Sequence, residues 1–171
     1  RARDNLRRRL PCYPKRHTND LGWVPQDEYE TKTRDVVRRC LDNGTVVILS
    51  TIPPRSGMLE ESRDLADIVR RIGREMNVPV EDYFGEILKR RPDDWDGSKD
   101  EFAGVPGDAY QVATLLSRDG VHPSNPGRHD GDYSEESLRT SGYILRNYLT
   151  LRTYADVIRN VFEPTASGLR F

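Results

Sequence analysis

Residues 45–51 read Thr-Val-Val-Ile-Leu-Ser-Thr, and this run decides the fold class. A strand with one wet face alternates apolar and polar residues. A continuous β-branched and apolar run instead suits a strand covered on both faces, as in a parallel sheet. Upstream, Pro25 followed by Asp27 and Glu28 marks a helix first turn, where proline fits and acids favour the positive end of the dipole. Tyr29, Val36, Val37, Cys40 and Leu41 continue it as an apolar stripe, and Asn43-Gly44 stops it. Downstream, residues 52–57 (Ile-Pro-Pro-Arg-Ser-Gly) form a loop. A second helix is expected over 58–77, buried through Leu65, Ile68, Val69, Ile72 and Met76. A second strand over 78–84 follows, weakened at its start by Pro79, and then a short helix including Ile87 and Leu88. Residues 91–133, rich in Pro, Gly and Asp, read as loop, which at that length is usually functional or disordered. A last helix is expected from Ser134 to Phe162, with Leu138, Leu145, Tyr148, Leu149, Ala155 and Ile158 inward. The alternation of helix and strand predicts α/β layers joined by right-handed crossovers.

The chain has 171 residues, room for one domain, and a net charge of −1. That balance argues against a general nucleic-acid binder, which carries a basic excess. No apolar run approaches the ~18 residues of a membrane span. Cys12 and Cys40 make neither a disulfide scaffold nor a zinc site. The near-zero charge hides an asymmetry. Residues 1–17 hold seven basic residues against one acid, a net +6, whereas residues 18–171 hold twenty against twenty-seven, a net −7.

The clearest chemical signal is Asp119-Gly120-Val121-His122-Pro123-Ser124. An Asp and a His three apart on a tight loop can be neighbours. The carboxylate then accepts the Nδ1 proton of the imidazole and fixes its tautomer, leaving Nε2 as a general base. Gly120 permits the turn and Pro123 stiffens its exit. The same spacing also describes a surface Asp-Gly turn beside an ordinary histidine. Thr18-Asn19-Asp20 is the second signal: an Asn amide can stabilise an oxyanion, and Asn-Asp is equally common as a plain turn.

Taken together and in this order, the two motifs resemble the SGNH hydrolases, the GDSL-type esterases and lipases. His17-Thr18-Asn19-Asp20 is similar to that family's Gly-x-Asn-Asp block, with His17 in place of Gly. Asp119-x-x-His122 followed by Pro-Ser is similar to its last block. The resemblance covers residues 18–162. It implies a flavodoxin-like three-layer α/β/α sandwich with the site at the C-terminal ends of parallel strands, in keeping with the general rule for open α/β sheets. It implies that His122 activates a serine, that Asp119 orients His122 and that Asn19 donates to the oxyanion. It implies hydrolysis of small acyl esters, including acetyl groups on carbohydrate, with no metal or organic cofactor. Asp20, Arg55 and Trp23 are candidates to border the pocket.

The sequence departs from the family where the nucleophile belongs. None of its ten serines precedes Asn19, and none follows a Gly-Asp pair. The family's second-block Gly is also missing, and residues 9–16 (Arg-Leu-Pro-Cys-Tyr-Pro-Lys-Arg), with two prolines, make a poor central strand. The expectation is therefore an N-terminally truncated sandwich: a basic leader over 1–17, the α/β domain over 18–162 and a tail over 163–171. Two readings of the leader stay open, an unrelated or frameshifted sequence ahead of part of a hydrolase, and a basic arm on a non-catalytic derivative that serves as an interaction module. A sheet cut in this way exposes strand edges, so self-association or a complementing N-terminal piece is expected. The acidic loop Asp93, Asp94, Asp96, Asp100 and Glu101 lacks the regular calcium-loop pattern. His129 and Asp130 are weaker candidates for a pocket mouth, Trp95 and the tyrosines of the last helix suit packing, and no glycine-rich phosphate cradle is present.

Overall fold

A computed structural model of the chain describes residues 21–162. The leader, Cys12, Asn19, Asp20 and the tail over 163–171 lie outside the described residues. Helix α1 spans Gln26–Asp42, strand β1 Leu49–Ser50, α2 Leu59–Glu75, β2 Val80–Glu81 and α3 Tyr83–Arg90. Helices α4 (Glu135–Thr140) and α5 (Gly142–Val157) follow a long irregular stretch, and a π turn over Ile158–Phe162 ends the described chain. The architecture is α/β. β1 and β2 pair in parallel, Leu49 opposite Val80 and Ser50 opposite Glu81, with α2 as the crossover.

Each helix follows from its sequence. Pro25 stands just before α1 at φ −56° and ψ 143°, and Asp27 and Glu28 occupy the first turn. The α1 stripe buries Tyr29 and Val37, while Leu41, near its end, is exposed. α2 buries Leu65, Ile68, Val69 and Ile72 against β1 and α1. Val47, Ile48 and Leu49 are all buried, so the run has no wet face.

Three expectations are corrected. The first strand pairs with the second only over Leu49–Ser50, not the whole of 45–51, although Val47 is also a β-bridge residue. The second strand does not reach Phe84. Asp82 accepts a hydrogen bond from Gly85 N at 3.1 Å, capping α3, so Tyr83 and Phe84 open a helix. The last helix is not continuous from Ser134 to Phe162. It breaks at Ser141, whose backbone is extended (φ −132°, ψ 109°), because a second helix starts there with Ser141 as its cap.

The 91–133 stretch is irregular, apart from short 3-10 turns at Asp100–Phe102 and Gly127–His129. It contributes Trp95, Leu115 and Leu116 to a second core with Tyr83, Ile87, Leu138, Ile144, Leu145 and Leu149. Beyond Ser50, Thr51 N donates to Glu81 O at 3.0 Å and Thr51 Oγ1 accepts from Phe84 N at 2.8 Å. These bonds fix the C-terminal end of β1, where the chain turns through residues 52–57. No described helix is long and apolar enough to cross a membrane.

Candidate active site

An isolated antiparallel bridge, Leu116 with Pro123, closes a short loop that carries Asp119 and His122 at its tip. Ser117 N donates to His122 O at 2.8 Å, and Gly120 N to Ser117 O at 3.0 Å. Gly120 has φ +68°, a left-handed conformation that glycine adopts without a Cβ penalty. A Cβ there would also stand 2.5 Å from Ser56 Cβ. Ser56 N donates to Gly120 O at 2.9 Å, which seats the loop on the segment that leaves β1. Ser56 and Ser98 share a 2.8 Å hydroxyl contact, and Ser98 N and Oγ both donate to the buried Asp96 at 2.9 and 2.7 Å.

His122 Nδ1 lies 2.7 Å from Asp119 Oδ2. A carboxylate only accepts, so the proton sits on Nδ1 and Nε2 carries the lone pair. The other carboxylate oxygen, Oδ1, accepts from Ser117 Oγ at 2.6 Å, Val121 N at 2.8 Å and His122 N at 2.9 Å. Partial burial pushes the Asp119 carboxyl up. The hydrogen bonds from Ser117, His122 and Val121 outweigh that and hold it at about 2. Asp119 is therefore ionised at neutral pH. The His122 side chain remains 55% exposed, and among the described residues its ring nitrogens bond Asp119 alone.

Ser124, two residues beyond His122, is buried. Its hydroxyl donates to Thr114 O and accepts from Gly142 N at 3.0 Å, while Tyr143 N donates to Ser124 O at 2.9 Å. Its lone pair and proton are both committed, and its work is to staple the histidine loop to the start of α5. Arg55 lies one residue before Ser56, in the segment that touches Gly120. Trp23 is 86% exposed on the turn before α1, whose Gly22 rests against Met58.

His129 is buried rather than placed at a pocket mouth. Its Nε2 accepts from Arg128 Nε at 2.9 Å and contacts Thr140 Oγ1 at 2.9 Å, and its Nδ1 meets Ser137 Oγ at 2.8 Å. It clasps the irregular stretch to α4. In the acidic loop, Asp94 is held by Arg91, whose bond keeps its carboxyl below the usual range, and Asp96 by Ser98. No cluster of metal-ligating side chains occurs among the described residues.

No protein-family model matches this chain, and no curated protein matches it. Among solved structures it is similar to the crystal structure of a lipase/acylhydrolase from Enterococcus faecalis, with a TM-score of 0.49 and 16% identity. The match covers 84% of this chain and 62% of that one, so this chain spans less than two thirds of its neighbour's length.

Sequence reasoning isolated Asp119 and His122 by their spacing. It missed Ser117, Ser56, Ser98 and Tyr110, whose ring stands edge-on to the His122 imidazole. Ser117 carried a local signal, a hydroxyl two residues before an Asp-Gly turn. The other three lie 12 to 66 residues from His122 along the chain and left none.

Proposed function

We propose that the chain carries the acid–base half of an ester hydrolase of the SGNH kind, built on a flavodoxin-like three-layer sandwich over residues 18–162. The observation that carries the reading is the His122 Nδ1–Asp119 Oδ2 bond of 2.7 Å, on a loop seated beyond the C-terminal end of β1. On this reading His122 Nε2 takes the proton from an attacking hydroxyl as its oxygen adds to the ester carbonyl carbon. The carbonyl oxygen becomes an oxyanion, with Asn19 as its donor. When the intermediate collapses, the carbon–oxygen bond to the alcohol breaks and the imidazolium returns its proton to the leaving oxygen. Asp119 stabilises the imidazolium throughout, and Asp20, Arg55 and Trp23 border the pocket. The substrate class is a small acyl ester.

The missing Gly-Asp-Ser block leaves the attacking hydroxyl to water or to a serine on a complementing N-terminal piece. Removing a serine nucleophile alone costs on the order of 10⁶ in kcat in a well-studied serine protease, so the expected turnover of this chain by itself is slow. The same absence favours a second reading, a non-catalytic α/β interaction module. Hydrolysis of p-nitrophenyl acetate by the 171-residue chain and by His122→Ala separates the two. Turnover above the buffer rate that vanishes in His122→Ala is expected. A folded chain that hydrolyses no faster than buffer, or no faster than His122→Ala, supports the module.

A further inference from the structure

We propose that Tyr110 forms the wall against which the alcohol part of the ester packs, so that the preferred substrates are esters of a ring-bearing alcohol. The inference rests on the hydrolase reading of Asp119 and His122. The Tyr110 ring lies 6.0 Å from the His122 imidazole, centroid to centroid, at 62° to its plane. Tyr110 is 40% exposed, so the two rings form a corner open to solvent. An aromatic left partly in water beside a general base offers apolar area and a π face to whatever approaches that base.

The wall is held in place by the residue next to the acid–base pair. The Arg118 guanidinium donates to the carbonyls of Val105 at 2.7 Å, Gly107 at 2.5 Å and Asp108 at 2.6 Å, and Arg118 N donates to Ala109 O at 2.8 Å. Asn125 N donates to Tyr110 O at 2.7 Å from the other side. Arg118, which anchors the loop leading to Tyr110, thus stands between Ser117 and Asp119, which are bonded to each other. A fixed aromatic costs a ligand little ordering entropy when it binds. The leaving oxygen must reach His122 Nε2 to collect its proton, which brings the group attached to that oxygen alongside Tyr110. A flat aryl ring or the C–H face of a sugar ring covers the phenol, whereas a short straight-chain alcohol does not.

The test uses the full chain and reads binding apart from turnover. The His122 ring resonances are followed by NMR during titration with p-nitrophenol, a methyl pyranoside or ethanol. Turnover is measured on p-nitrophenyl acetate, an acetylated methyl pyranoside and ethyl acetate. The expected result is that a ring alcohol moves the His122 resonances at lower concentration than ethanol does, and that the two ring arms show whether the ring is aryl or sugar. Tyr110→Ala should weaken that binding roughly tenfold, the scale of one aromatic contact. Tyr110→Phe should retain it, and the Nδ1 proton shared with Asp119 should be unchanged in both variants. Equal response to ethanol and ring alcohols, or unchanged binding in Tyr110→Ala, overturns the proposal. Ring binding that depends on Tyr110 in a chain with no turnover supports the wall and overturns the hydrolase reading.

Discussion

Asp119 spends one carboxylate oxygen on the imidazole of His122 and the other on three donors of its own loop. The residue that orients the base is also the residue that folds the loop. Asp119→Asn should therefore damage both functions. An amide cannot accept with both ends, so the imidazole loses the tautomer that leaves Nε2 basic, and His122-dependent ester turnover should fall by up to about 10⁴. The pH dependence of stability carries a separate signature. The folded carboxyl, at about 2, lies below its ordinary 3.8. Its contribution is present above 3.8 and is lost as pH falls from there toward 2. Urea midpoints measured across this window should decline less steeply for Asp119→Asn than for the parent chain. At this scale the sequence was informative because three-residue spacing on a Gly turn leaves few geometries. It was silent on Ser56 and Tyr110, which reach the loop from 64 and 12 residues away from Gly120 and His122.

The break between α4 and α5 shows what an element owes to its neighbours. Apolar periodicity runs through Leu138, Leu145 and Leu149 and masks the one local sign of an interruption, the Ser141-Gly142 pair. Ser141 caps the new helix, and Leu115 and Ser124 hold the break in place. Gly142 packs so closely on the Leu115 carbonyl that a Cβ has no room, and its N–H is bonded to Ser124 Oγ at 3.0 Å. Gly142 O in turn accepts from the buried Tyr83 hydroxyl at 2.8 Å. Gly142→Ala should lower unfolding free energy by about 1–3 kcal/mol through overpacking, although alanine is the better helix former. Tyr83→Phe, which removes only the hydrogen bond, should cost about 1 kcal/mol. Denaturant titrations with an unchanged m-value check both. The short strands follow the same logic. The apolar run predicts burial correctly, and burial is what it encodes; ladder length depends on which neighbouring backbone lies alongside.

Across the whole molecule, β1, β2 and α5 meet at a carboxylate. Glu81 is 2% exposed, bonded by Thr150 Oγ1 at 2.9 Å and contacted by Ser50 Oγ at 3.5 Å. Burial pushes its carboxyl above the ordinary 4.5, against the opposing effects of Thr150, Arg146 and Ser50. The folded chain thus holds this proton more tightly than the unfolded one. Stability from this group is greatest below 4.5 and falls as pH rises through the raised value, opposite in sense to Asp119. Glu81→Gln should raise the Tm at pH 7 and lose that advantage near pH 4, as read by calorimetry at both pH values. Alternation of helix and strand made the α/β class legible, whereas a buried acid joining three elements has no sequence signature, because Glu81 reads as an ordinary polar residue after a valine.

The irregular stretch over 91–133 contains four basic residues, Arg91, Lys99, Arg118 and Arg128, and all but Arg91, which precedes Pro92, are trypsin sites. Every one of these side chains is already engaged. Arg91 holds Asp94 and the carbonyls of Ala113 and Arg139, Lys99 the carbonyl of Asp93, Arg118 three carbonyls of its neighbouring loop, and Arg128 the His129 ring. A protease that must draw an arginine or lysine into its own pocket has to unpick these bonds first. In a timed digest mapped by mass spectrometry, early cuts should fall at exposed helical arginines such as Arg39, and this stretch should survive until the domain unfolds. A segment without regular structure would then be as slow to cleave as the helices around it.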